Sequence, residues 1–64
     1  MDNNVPAYKE LLTIRETAKI YGLGLHTIRR LTNAENCPFV LWNGNKRLIK
    51  RRLFEEFLFN QRKI

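Results

Sequence analysis

The sequence predicts an α+β fold in which two short helices, a β-hairpin and a C-terminal helix share one small core. Three observations carry that expectation: a helix-starting pattern at Thr13-Ile14-Arg15-Glu16, a second helical period after Gly22-Leu23-Gly24, and Asn43-Gly44-Asn45 set between apolar runs. A chain of 64 residues buries only about 60% of the surface its unfolded form exposes. One domain fits that length; a deep substrate pocket does not. With 44% apolar residues, three glycines and two prolines, the composition is that of ordinary globular protein.

Residues 1–10, MDNNVPAYKE, are polar, contain Pro6 and show no period, so they are expected to form a loosely ordered arm ahead of a domain over 11–64. The helix after it has a chemical start. In Thr13-Ile14-Arg15-Glu16 the threonine hydroxyl can accept a free backbone N–H while the glutamate returns to the cap residue. Ile14, Ala18 and Tyr21 then recur on one face, and Gly22 ends the run where a left-handed residue is needed.

The next segment starts at Gly24, a passable cap. At about 100° per residue, Ile28, Leu31 and Thr32 face inward. His26, Arg29, Arg30 and Asn33 then face outward, with Thr27 on the flank. Two short helices around a glycine-bearing turn have the spacing of a helix-turn-helix, whose second helix enters a DNA major groove. A plain αα corner has the same spacing, so the hairpin has to decide.

Asn-Gly between apolar runs is a strong hairpin signal, because both turn residues need positive φ. Two registers are open: a loop at Asn43-Gly44 sets Trp42 opposite Asn45, and one at Gly44-Asn45 sets Leu41 opposite Leu48 and Val40 opposite Ile49. In either register Asn43, Asn45, Lys46 and Arg47 lie at or beside an exposed tip. Cations on a two-stranded edge also serve to block aggregation, but the cationic face of the preceding helix favours a shared anionic partner.

The final segment, RRLFEEFLFNQRKI, places Leu53, Phe54, Phe57 and Leu58 on a broad apolar face and is expected to supply most of the aromatic core. Phe59 falls outside that stripe. Lys50, Arg51 and Arg52 crowd the start of this helix, where the macrodipole disfavours cations. Either a bound phosphate, with Arg51 as a ligand, resolves the conflict, or the side chains extend into water.

The formal net charge is +6 and the pI near 10.1, which implies an anionic partner. The charge is uneven, since residues 37–64 hold Lys46, Arg47, Lys50, Arg51, Arg52, Arg62 and Lys63 against Glu55 and Glu56. One cysteine, Cys37, makes no internal disulfide, and no apolar run is long enough for a signal peptide or a membrane span, so a cytoplasmic location is expected. Cys37 and His26 are too few to hold structural zinc, and no cofactor is expected. His26 has no nucleophile or orienting carboxylate spaced to work with it. The chain contains Arg, His and Tyr, the side-chain types of a tyrosine recombinase, but is too short to build that pocket.

At this point the residues carry a resemblance. RETAKIYGLGLHTIRRL followed by WNGNKRLIKRRLFEEF, spanning about residues 11 to 60, is similar to the small winged helix-turn-helix proteins of the MerR-like and excisionase type, and more closely resembles the excisionases of conjugative transposons. Leu25, where a polar residue is common, and Lys50-Arg51, where broader relatives often carry Ser or Asp, depart from the pattern.

The resemblance implies that the helix with Thr27, Arg29 and Arg30 lies in a major groove, while the wing with Lys46 and Arg47 reaches an adjacent minor groove or its phosphates. It also implies a non-catalytic role: binding and bending attachment-site DNA so that a tyrosine recombinase (integrase) excises a mobile element. Several copies side by side on the DNA would add their bends. Arginine can read guanine and asparagine adenine bidentately, so Arg29, Arg30 and Asn33 are the candidates for reading sequence, with the wing cations on phosphates. Two alternatives stay open: a small transcriptional regulator of the same fold, and a protein-interaction module whose basic face meets an acidic partner.

Overall fold

The computed structural model describes residues 9–64, so most of the expected arm lies outside the described residues. The elements in order are β1 (Leu11–Thr13), α1 (Ile14–Tyr21), α2 (Leu25–Thr32), β2 (Val40–Asn43), β3 (Lys46–Lys50) and α3 (Arg51–Phe59). The architecture is the expected winged helix-turn-helix with one addition. The sheet has three strands, in the antiparallel order β1-β3-β2. A three-residue strand has no period to read; β1 exists because Leu12 pairs with Ile49, and both are fully buried.

The start of α1 follows its local chemistry. Glu16 N–H donates to Thr13 Oγ1 at 3.0 Å and Thr13 N–H donates to Glu16 Oε1 at 2.9 Å, closing the capping box. Gly22 ends the helix at φ 65°, and the N–H groups of Gly22 and Leu23 both donate to Ala18 O. Ile14, Ala18 and Tyr21 pack half-buried against the core, as the period requires. The fully buried residue of α1 is Thr17. Its short side chain is covered by its larger neighbours, and its hydroxyl donates to Thr13 O at 2.8 Å, so no polar atom is left unpaired.

Lys9 Nζ lies 2.7 Å from Glu16 Oε2, and this contact, with the Thr13 N–H bond, holds the Glu16 carboxyl below its ordinary range. A folded-state pKa below the unfolded value near 4.5 adds stability that is present above that value and is lost as pH falls through the folded value. Glu16→Gln is therefore expected to melt lower than the wild type at pH 7, with the gap closing by about pH 3. Thermal melts at both pH values check it, and a gap independent of pH contradicts the assignment.

In α2, Ile28 and Thr32 are buried and Leu31 half-buried, the three inward residues expected. In the hairpin, Asn43 pairs with Lys46, Leu41 with Leu48 and Val40 with Ile49, so the loop is Gly44-Asn45. Of the two open registers this one matches apolar residues across the strands. Within the loop positive φ falls on Gly44 alone, at 64°, and not on both turn residues as expected: this is the pattern of a loop with glycine at its first central position, so Asn45 is not forced into a left-handed conformation.

The core consists of Leu12, Ile28, Phe39, Ile49 and Phe54. Its aromatic part is shared more widely than α3 alone: Phe39, just before β2, meets Phe54 edge-on at 4.9 Å and Phe57 at 5.1 Å, and Tyr21 of α1 meets Phe54 at 5.2 Å. Burial in this cluster, reinforced by a hydrogen bond to Glu55, pushes the Tyr21 phenol up to about 12. Leu53 is not part of the buried face. It is 38% exposed, because α3 points Phe54 straight at the core and leaves Leu53 on the margin of the stripe. Phe59, expected outside the stripe, is 90% exposed.

Candidate nucleic-acid interface

The surface begins with the turn between α1 and α2. Gly22, Leu23 and Gly24 swing the chain so that α2 starts at Leu25 with Gly24 as its cap; Ile28 N–H reaches Gly24 O at 3.1 Å. With Ile28 and Thr32 locked into the core, the rest of α2 is presented outward. His26, Arg29, Arg30 and Asn33 are exposed, and Thr27 is half-buried on the flank. Leu25 is also exposed, at 40%, an apolar group at the first turn beside the cations.

The wing folds back toward this helix. Thr13, Ile14 and Arg15 from the start of α1, Arg29 from α2, and Asn45, Lys46 and Arg47 from the hairpin line one open groove of about 390 Å³. Four of these seven side chains are cations and none is a carboxylate, so their fields add in the groove. Arg15 is the member that sequence reading misses. On α1 it is one of two exposed cations, with Lys19, and only the fold of β1 against β3 brings it beside the wing.

The expected residues are not all gathered in that groove. Arg29 lies on the wing side of α2. Arg30 lines a separate, more apolar hollow of about 440 Å³ with Leu31, Ala34, Cys37, Phe39 and Phe57 on the side toward α3. Arg29 and Arg30 thus flank the outer ridge of α2 rather than sharing one direction, as a step of about 100° between consecutive residues requires. Asn43 and Asn45 are exposed beside Lys46 at the hairpin tip.

Arg47 differs from its expected place at an open tip. It is half-buried, and its Nη1 donates to Thr32 Oγ1 at 2.8 Å and to Arg29 O at 3.2 Å. Its guanidinium carbon also sits 4.8 Å from the centre of the Trp42 ring, which is paired with it across the strands. Trp42, absent from the sequence candidates, is 51% exposed.

Arg51, the expected phosphate ligand, has partners within the chain. Its backbone N–H donates to Glu10 O at 2.8 Å, and its Nε lies 3.6 Å from Glu55 Oε2. Beside it Arg52 Nη2 lies 3.0 Å from Glu10 Oε2. The conflict between cations and helix start is eased within the chain, by a carboxylate on each arginine and a carbonyl on the first free N–H. Sequence spacing hid this because Glu10 is 41 residues from Arg51.

Among the described residues there is no group of three His, Cys, Asp or Glu side chains placed to hold a metal, and no helix long and apolar enough to cross a membrane.

The helix-turn-helix domain family matches residues 11–62, which takes in every element of the fold. The excisionase from transposon Tn916 of Streptococcus agalactiae serotype V is 38% identical over 48 residues, 73% of this chain and 72% of that protein. No solved structure matches. The matched span contains the capped α1, the glycine turn, the cationic α2, the wing and α3, and the chain belongs to the excisionase family of helix-turn-helix proteins.

Proposed function

We propose that this protein is a sequence-specific DNA-binding accessory factor that promotes excision of a mobile element by a tyrosine recombinase, without catalysing a step itself. The observation that carries this reading is the carboxylate-free groove of Arg15, Arg29, Lys46 and Arg47 beside the exposed face of α2. In the proposed complex α2 enters the major groove, with Arg29, Arg30 and Asn33 at base edges, His26 and Thr27 at a phosphate or base edge, and Leu25 placed to touch a thymine methyl. Asn43, Asn45 and Lys46 meet the neighbouring groove or its phosphates.

The likeness to a protein described as an excisionase supports excision over other uses of the fold. A helix and a wing held at one angle grip two neighbouring grooves, and a bend imposed on a short site costs about 1 to 6 kcal/mol that phosphate contacts must offset. Copies bound in phase along an attachment-site arm would add their bends.

The test is an excision assay with the cognate integrase and a plasmid carrying the element's two ends, with and without this protein. Stimulated excision and a footprint on the arms support the reading. Repression of a neighbouring promoter without effect on excision would replace it with a regulator, and failure to bind any duplex at low salt would leave an interaction module.

Two substitutions divide the roles. Arg30→Ala is expected to lose about 1 to 3 kcal/mol of discrimination between the specific site and random duplex. Lys46→Ala is expected to weaken both roughly alike and to lower the salt slope by about 1. Fluorescence anisotropy on both duplexes at several salt concentrations reads the two effects, and identical profiles for the two variants would contradict the division.

A further inference from the structure

We propose that Arg47 is a positioning residue, which clamps the wing to the C-terminal turn of α2 and so sets the spacing of the two DNA-contacting elements; the proposal rests on the DNA-binding reading above. Three contacts define the clamp: Thr32 Oγ1 at 2.8 Å, Arg29 O at 3.2 Å, and the Trp42 ring at 4.8 Å from the guanidinium carbon. Two lie on α2 and one on β2, so a single guanidinium spans helix and wing.

The geometry uses what arginine has and lysine lacks. Both bonds leave from Nη1, whose two N–H groups take the two oxygens while the flat guanidinium stays over the Trp42 ring; an ammonium can donate twice but has no flat face to lay on that ring. The charge is also placed where it is favourable for the fold alone. Arg29 O belongs to the last turn of α2, where the helix dipole attracts a cation and where Asn33 N–H and Thr32 Oγ1 also donate to the same carbonyl.

Thr32 completes the device. It is 2% exposed, too deep to touch DNA, yet its hydroxyl accepts the shorter of the two Arg47 bonds. β1 pairs with β3 only as far as Leu48, so the tip of the wing, where Arg47 sits, is two-stranded and less constrained by the sheet. Fixing it before binding removes an ordering cost that would otherwise weaken the complex.

The experiment uses the full chain and three variants, Thr32→Val, Arg47→Lys and Arg47→Gln, at a temperature where melts show all four folded. Affinity for duplex DNA is measured across a salt series, and emission of the single tryptophan is measured without DNA. A positioning role predicts about tenfold weaker binding for Thr32→Val and for Arg47→Lys, salt slopes at the wild-type value for all three, and altered Trp42 emission in both Arg47 variants.

If Arg47 instead neutralises a phosphate, Thr32→Val and Arg47→Lys bind like wild type and Arg47→Gln loses about 0.9 from the slope; that result overturns the proposal. Absence of salt-dependent binding by the wild-type chain would overturn the DNA reading itself. Unchanged emission in the free Arg47 variants would refute the clamp whatever the DNA result.

Discussion

Phe54→Ala is expected to cost about 3 to 5 kcal/mol of folding stability, the usual range for truncating a buried phenylalanine. Phe54 is fully buried and has Tyr21, Phe39 and Phe57 as ring partners, so the hole left behind is bounded by rings from α1, the segment before β2 and α3, and closes poorly. At about 0.05 to 0.15 kcal/mol per residue, the whole domain holds only about 3 to 10 kcal/mol. The loss is a large share of that total, so urea denaturation should show a strongly lowered midpoint for the variant against wild type. Phe59→Ala is the control. At 90% exposure it should change stability by less than about 0.5 kcal/mol. A small effect at Phe54 would mean that the aromatic cluster is not the centre of the core.

Duplex affinity is expected to fall roughly a hundredfold between 50 and 200 mM salt. About four DNA-facing cations, Arg15, Arg29, Arg30 and Lys46, displace counterions whether each meets a phosphate or a base edge, and each contributes about 0.9 to the slope of log K against log salt. A fourfold rise in salt then changes K by about two powers of ten, close to 3 kcal/mol at about 1.4 kcal/mol per factor of ten. Anisotropy titrations at several salt concentrations give the slope directly. A slope near zero would mean that the charge serves some purpose other than DNA.

Where local chemistry decides structure, it could be read from the residues. Thr13 with Glu16 starts a helix by hydrogen bonds three residues apart, and Gly22 and Gly44 occupy backbone conformations that side chains disfavour. The same holds for the presentation of His26, Arg29, Arg30 and Asn33, because Ile28 and Thr32 fix which side of α2 is buried.

What escaped the sequence depends on partners far along the chain. β1 exists through its register with β3, Arg15 reaches the wing through that same pairing, and Arg51 meets a carbonyl and a carboxylate on different segments. Arg47 is the instructive case. Beside a turn it reads as an open cation, and only the three-dimensional fold supplies a backbone carbonyl and a buried hydroxyl for it to bond. Leu53 shows the remaining difficulty: a helical projection gives the width of an apolar face but not the direction in which the core lies.

The central claim is that the outer face of α2 and the wing tip meet one duplex at the same time. Backbone amide shifts, followed by NMR as duplex DNA is added at low salt, test it most directly. Simultaneous docking predicts perturbations at Arg15, across His26 to Asn33 and across Asn43 to Lys46, all with one binding curve, while Glu56 to Phe59 of α3 stay unchanged. Perturbation of α2 without the wing, of the wing without α2, or of the exposed end of α3 would contradict it.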